Sequence, residues 1–383
     1  MVQMYDLVIV GGGLWGTAAS WSAVEHRFGR VLLLERNTFV AGESSAKAGG
    51  IVSDFVAHPD DQAWVTESRT LFRQAQEISG DRTMIQENGM LSLCTPVQAE
   101  QLATQVQDLQ RRNIPVDVWD SRAIGAHWPD LDRVSADMIG IWTPQDWHVN
   151  PTAAANAFLT LARVKGLEVR FNYRATTIAI ESRRVLVHTS EESIEAARVL
   201  VTAGTWTRKL LQTAGIDIPF RPYRTQLASL EFPAGYQLPI VRELSTDMYF
   251  VPDGAHNLLV GDGTRLWEHD PDNYETLGDP DFHQDVASGV MRLISKGEYA
   301  QLRRSWAGLC GATPDRRPLV GKVADRLYIA CGDNGFGIKR GPALGALAAK
   351  IAMDAAEAPQ LNPHRYPPID FPLRPGSGGT FDS

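Results

Sequence analysis

Cysteine is scarce in this chain of 383 residues: Cys94, Cys310 and Cys331 are odd in number and far apart, and no two stand at metal-finger spacing. That excludes a disulfide scaffold and a zinc module, which need paired or closely spaced thiols, and it fits a reducing cytoplasm. A basic surplus is missing too. The formal net charge is −8, and nucleic acid or an anionic membrane surface calls for a basic stripe that displaces counterions, so small molecules are the expected partners. No internal repeat or long low-complexity segment occurs. The one long uncharged run, residues 7–24, approaches the length that spans a bilayer. Its glycines at 11, 12, 13 and 16, with Thr17, Ser20 and Ser22, make a poor lipid-facing helix, and Asp6 stands where a signal peptide wants positive charge. Neither a membrane span nor export is expected. The remaining composition, 44% hydrophobic and 21% charged, is that of an ordinary globular protein, and the length suits two domains.

What the sequence does carry begins near its N-terminus. Residues 5–10 (YDLVIV) are a short β-branched run, a helical stretch extends from the glycines to about residue 26, and a second apolar run occupies 31–34. The pattern predicts a βαβ unit. Within it Gly11, Gly13 and Gly16 give G-x-G-x-x-G, with Leu14 and Trp15 between the last two, and Glu35 follows Gly16 by 19 residues. The first glycine permits the tight turn, the second lets a pyrophosphate approach the backbone, and the third lets helix pack on strand. The helix start then offers free N–H groups and a partial positive charge to the phosphates. Glu35 would accept hydrogen bonds from ribose hydroxyls and disfavours a 2′-phosphate. NAD and FAD both use this unit. The polar loop with Ser44, Ser45, Lys47, Gly49 and Gly50 is too long for a simple turn; it suits a phosphate or a flavin edge, and also a plain surface connection.

Further along, helical periodicity appears around 62–78, 97–112 and 152–164, the last after Pro151. Residues 167–201 read as several strands, and 220–263 as short strands punctuated by Pro and Gly, an antiparallel sheet distinct from the first body. A strand at 327–330, a glycine-rich turn at 332–337 and a small-residue helix at about 342–356 follow, and the tail PGSGGTFDS reads as disordered.

Taken together, YDLVIVGGGLWG, ERN at 35–37, SAKAGGI at 45–51, AGTW at 203–206, RTQ at 224–226, MYFVPD at 248–253, WAGLCGATPDRRPLVG at 306–321 and LYIACGDNGFGIKRGPALG at 327–345 resemble the FAD-dependent superfamily of D-amino acid, glycine and sarcosine oxidases. The resemblance covers nearly the whole chain. It implies an α/β fold: a Rossmann-like FAD-binding domain assembled from 1–90, 140–215 and 315–365, and an α+β substrate domain of 91–139 and 216–314 whose mostly antiparallel sheet roofs the flavin, with 366–383 as a tail. FAD would contact residues 11–16, Glu35, Arg36, residues 44–50, Ala175, Gly204, and Gly335, Phe336, Gly337, Ile338 and Lys339. Read from the residues alone, Gly332, Gly335 and Gly337 leave N–H groups open at a helix start, a nest for the anionic edge of a reduced flavin or a plain left-handed turn.

Departures from the family narrow the chemistry. Amino-acid-oxidising relatives place a carboxylate-clamping Arg where this chain has Cys310, while Lys339 in FGIK resembles the carboxylate-binding lysine of the sarcosine oxidase branch. Lys339 thus reads as a substrate ligand or as a solvated lysine. The cysteine to which sarcosine oxidases attach flavin is replaced by Gly308, so the FAD is expected to be non-covalent. At the place of a lysine associated with fast oxygen reaction stands Leu259, which puts oxidase activity in question and gives weight to a dehydrogenase; the acceptor is O2 or another oxidant. Tyr249 matches a tyrosine that projects toward the flavin, and reads equally as a core residue; Trp142 and Trp147 read as pocket or core. The reaction implied is oxidation of the C–N bond of a small amine or amino acid by hydride transfer to flavin N5. This needs orientation more than acids or bases, in keeping with the absence of an evident catalytic triad. A hydroxy-acid dehydrogenase and a subunit of a larger complex remain as alternatives, and the oligomeric state stays open.

Overall fold

The two apolar runs at the N-terminus become adjacent parallel strands, Tyr5–Val10 and Val31–Glu35, in a computed structural model that describes residues 4–56, 58 and 60–367. Around them the parallel strands run in the order Glu168–Phe171, Val31–Glu35, Tyr5–Val10, Ser193–Val201, Leu327–Cys331. The alternation of side chains sorts the sheet into two cores: Leu7, Ile9 and Leu33 pack with helices on one face, and Val8, Val10, Leu32 and Leu34 face the other. Ala175–Ile180 and Val185–Thr189 add an antiparallel meander. The helix Leu14–Glu25 packs against Pro151–Val164 and against Gly337–Ala352. The second contact is backbone-close: a Cβ at Gly345 would lie 2.2 Å from the Trp15 carbonyl oxygen, and one at Gly341 2.6 Å from Trp15 Nε1. The last helix starts at Gly337 rather than near 342 and holds Pro342 inside it, because Pro342 falls early enough that few helical hydrogen bonds are lost.

A second, nine-stranded sheet includes Met90–Cys94, Ile139–Thr143, Arg221–Glu231, Ile240–Glu243, Tyr249–Asp253, Asn257–Gly261 and Gln301–Ala312, antiparallel except where Ile240–Glu243 runs parallel to Met90–Cys94. Ile139–Thr143 pairs along Met90–Cys94, so a domain boundary at 140 would cut this strand, and it groups with the second sheet. One face of that sheet packs on the helix Pro280–Leu293. The other forms an apolar cluster that includes Phe55 from the first body. The helices Asp61–Ser79, Pro96–Arg111 and Pro151–Val164 fall where periodicity placed them; Pro280–Leu293 adds to them. The tail sequence PGSGGTFDS lies outside the described residues. Among those residues no helix is long and apolar enough to cross a membrane.

Candidate functional site

A cavity of about 500 Å³ opens at the carboxyl ends of the parallel strands, lined there by Val10, Glu35, Thr202 and Cys331. This is where a doubly wound sheet places its ligand. The three signature glycines stand here for three separable reasons. Gly11 has φ +107°, and a Cβ on it would lie 2.7 Å from the Thr202 carbonyl oxygen. Gly16 lies off the cavity wall, where a Cβ would come within 1.9 Å of the Gly11 carbonyl oxygen. Gly13 faces the cavity, and a Cβ on it would meet only Ser45 Oγ at 3.4 Å. The helix behind Gly13 has no side-chain cap at that residue, and the open face suits a pyrophosphate.

Glu35 is buried and accepts the Gly12 N–H at 2.7 Å and the Asn37 N–H at 2.8 Å. Burial pushes its carboxyl up, and the two N–H donors pull it back down. Arg36 lies 3.8 Å over the Trp206 ring. Asp272, reached from the segment after Asn257–Gly261, receives Trp206 Nε1 at 2.9 Å, Arg174 at 2.9 Å and Lys209 at 2.7 Å, which ties the second body across this end of the cavity. Gly12, Arg174, Trp206, Lys209 and Asp272 all line it. Gly12 was legible in the glycine run; the others meet only through tertiary packing.

Ser44 and Ser45 line the cavity, and Ser45 Oγ accepts the Leu14 N–H at 3.1 Å. Leu14, Trp15, Ala175, Gly204, Gly335, Gly337 and Ile338 line it as expected, whereas Phe336, Lys339 and Tyr249 do not, and Trp15 Nε1 donates to the Gly337 carbonyl at 2.9 Å. Lys47, Gly49 and Gly50 turn away from it. Lys47 Nζ bonds Tyr274 Oη at 2.6 Å, its carbonyl accepts Trp306 Nε1 at 3.1 Å, and a Cβ at Gly49 would lie 3.0 Å from the Tyr249 ring. Gly50 has φ +71°, and a Cβ there would lie 2.2 Å from the Val149 carbonyl oxygen. Tyr249 is half-buried between Gly49 and Gly261, and burial pushes its phenol up. It therefore bridges the loop and the roof.

The second glycine turn is fuller than its sequence suggested. Gly335 N–H donates to Asp333 Oδ2 at 3.0 Å, so the nest expected to stand open already holds a carboxylate from the turn itself. Asp333 Oδ1 accepts the Gly311 N–H at 2.7 Å. Phe336 stacks beside Lys339, whose Nζ lies 5.0 Å from its ring centre. Lys339 is buried, not solvated: Nζ donates to Ser53 Oγ at 2.6 Å and to the Phe55 carbonyl at 3.4 Å. Burial, with the charge of Arg242 close by, pushes its amine down to about 7. Cys310 lines the cavity within hydrogen-bonding reach of Asp333 and Tyr223, and burial pushes its thiol up. Leu259 is buried in the apolar cluster shared by the two bodies. Trp142 packs tilted against Trp119 and edge-on against Trp128 in the outer core, and Trp147 packs into the helical core; neither lines the cavity.

The sequence model of the DAO family, FAD dependent oxidoreductase, matches residues 6–351. The chain belongs to this family. As a member it is an FAD-dependent oxidoreductase. It is 25% identical over 391 residues to glycine oxidase of Geobacillus kaustophilus, covering 95% of this chain and 97% of that one. With the bifunctional protein ThiO/ThiG of Nostoc sp. it shares 26% over 373 residues, 94% of this chain. There it spans about half of the relative's length, 54%. Among solved structures, L-proline dehydrogenase from P. horikoshii matches with a TM-score of 0.85 at 20% identity, covering 95% of this chain and 98% of that one, a likeness of fold. The cavity fits the cofactor: its length joins an acidic strand end to an open glycine cradle and a second glycine turn.

Proposed function

We propose that the protein oxidises the C–N bond of a small amino acid or N-alkyl amino acid, and that Lys339 reads the substrate carboxylate. The observation that carries this is the isolation of a buried ammonium. Both hydrogen-bond acceptors of Lys339 are neutral, Ser53 Oγ and the Phe55 carbonyl. The acids nearby are engaged elsewhere: Asp61 with Arg340 at 2.6 Å, and Asp146 with Arg69 at 2.9 Å and Thr143 at 2.6 Å. A buried cation without a counter-ion is expensive, and an arriving carboxylate supplies one. FAD, when bound, accepts the hydride; Lys339 and Tyr249 would aim the substrate, and the imine product would hydrolyse in water.

The cofactor would lie with its ribose toward Glu35 and Arg36 and its pyrophosphate at Gly13, held by Ser44, Ser45, Ala175 and Gly204. We read its attachment as non-covalent, because Gly308 offers no thiol and Cys310 is held protonated by burial. The bodies divide as a cofactor domain and a substrate domain, in a cytoplasmic protein. Leu259 puts no charge over the ring, which favours an acceptor other than O2.

The test is anaerobic flavin reduction by the best acidic substrate and by its decarboxylated amine, in wild type and Lys339→Met. A charge-assisted hydrogen bond contributes roughly 1.5–3 kcal/mol, so the variant should bind the acidic substrate about ten- to a hundredfold more weakly, with little change for the amine or in flavin content. The wild-type preference for the acid should also fade as pH rises through about 7, where Lys339 loses its proton. Equal losses for both substrates would mean that Lys339 reads no carboxylate.

A further inference from the structure

The carboxylate at the centre of the second glycine turn serves no purpose in the carboxylate-reading scheme above, yet it is built with care. Asp333 lines the cavity, and its two oxygens accept backbone N–H groups from two different elements, Gly311 on the roof strand and Gly335 in its own turn. The Cys310 thiol is a third hydrogen-bonding partner, and Tyr223 in turn bonds Cys310. The side chain lies against the start of the final helix: a Cβ on Gly337 would be 3.0 Å from Asp333 Cβ and 3.7 Å from Oδ2. Burial of Asp333 pushes its carboxyl up, while the two backbone N–H groups and the Cys310 thiol favour the anion and pull it back down.

The position of this charge along the cavity is what gives it meaning. Glu35 and Arg36 mark one end and Gly13 the middle, so a dinucleotide laid along them carries its second ring system to the end lined by Cys310, Asp333, Gly335 and Ile338. A glycine turn with open N–H groups would favour an electron-rich ring there. In this chain the turn supplies its own carboxylate at that end.

We propose that Asp333 is a tuning residue whose carboxylate, when ionised, lies beside the flavin ring and lowers its reduction potential. The proposal rests on the cofactor placement given above but involves no substrate. Two-electron reduction places negative charge on the ring, and a neighbouring carboxylate opposes it through a low-dielectric wall. Cys310 beside Asp333 brings no cation, and Arg340, which donates to the Asp333 backbone carbonyl at 3.0 Å, is paired with Asp61.

The experiment is dye-equilibrated potentiometry of the flavin-loaded protein in alkaline buffer, for wild type, Asp333→Asn and Asp333→Glu, with flavin content measured for each. Asparagine keeps the shape and accepts at least one N–H but removes the charge; it should favour the reduced form at least tenfold, about 30 mV for a two-electron couple. Glutamate keeps the charge and should stay near wild type even if displacement of the turn weakens flavin binding. A potential in Asp333→Asn equal to wild type would overturn the proposal. So would a glutamate variant that moves as far as asparagine, because that would assign the change to packing. Wild-type protein that carries no flavin would remove the cofactor placement together with this inference, whereas a failed carboxylate test at Lys339 would leave it standing.

Discussion

Two glycine-rich turns in this molecule each lead from a buried parallel strand into a helix, and they are built in opposite ways. At residues 11–16 the turn contributes only backbone, and the side chains that close it come from elsewhere: Glu35 from the neighbouring strand takes the Gly12 N–H, and Ser45 takes the Leu14 N–H. At residues 332–337 the turn brings its own polar side chains. Asp333 takes N–H groups from Gly311 and Gly335, and Asn334 accepts the Thr313 N–H at 3.0 Å while donating to the Gly332 carbonyl at 2.7 Å. The difference teaches that glycine spacing by itself does not make an anion site. What matters is whether the N–H groups left by the backbone are already claimed.

The comparison breaks most sharply at Gly16. Helix propensity alone would make Gly16→Ala stabilising by about 1 kcal/mol. A Cβ 1.9 Å from the Gly11 carbonyl oxygen and 2.6 Å from Thr202 Oγ1 leaves no room, and such overpacking of a rigid backbone contact should cost about 3 kcal/mol or more. Thermal melting of the variant is therefore expected to fall steeply, and a melting temperature at or above wild type would show that the first turn is not packed in this way.

Gly13→Val separates binding from folding. Its side chain would point into the cavity past Ser45 rather than into backbone, so the purified variant should fold, as judged by circular dichroism, and lack flavin. Retention of normal flavin content would mean that the pyrophosphate does not approach here.

The smallest change sharpens the second turn. Asn334→Ala removes hydrogen bonds to the Thr313 N–H and hydroxyl and to the Gly332 carbonyl from a residue at φ +52°, and should destabilise by about 2–3 kcal/mol in chemical denaturation while leaving the flavin in place. Asn334→Gly should recover about 1 kcal/mol of that, the part owed to the left-handed backbone. If the alanine variant were to lose its flavin with no loss of stability, the second turn would be acting as an open cradle like the first.

Much of the first turn was legible in the sequence because its information is local. Strand, glycines, helix and acid lie within about thirty residues, although the contact that forbids a side chain at Gly11 comes from Thr202. The second turn was legible in position but not in state: the segment GDNGFG announced free N–H groups, and only the approach of the strand Gln301–Ala312 showed that Asp333 spans both elements. The same limit applied to Lys339. A lysine at a helix start beside Arg340 looks solvated along the chain, and it is buried because the loop carrying Ser53 and Phe55 folds over it.

By itself, then, the sequence determined the βαβ unit, its three glycines and Glu35, the mostly antiparallel character of the second sheet, and the family resemblance, because these depend on residues near one another or on periodic burial. Tertiary structure alone decided which strand joined which sheet, as with Ile139–Thr143, and how Asp272 closes the far end of the cavity. It alone also set the charge at the ring end and the isolation of Lys339. The physical reason is common to all of them: a hydrogen bond or a strand pairing formed across tens to hundreds of residues leaves no periodic trace in the chain, and its partner is chosen only when the layers pack.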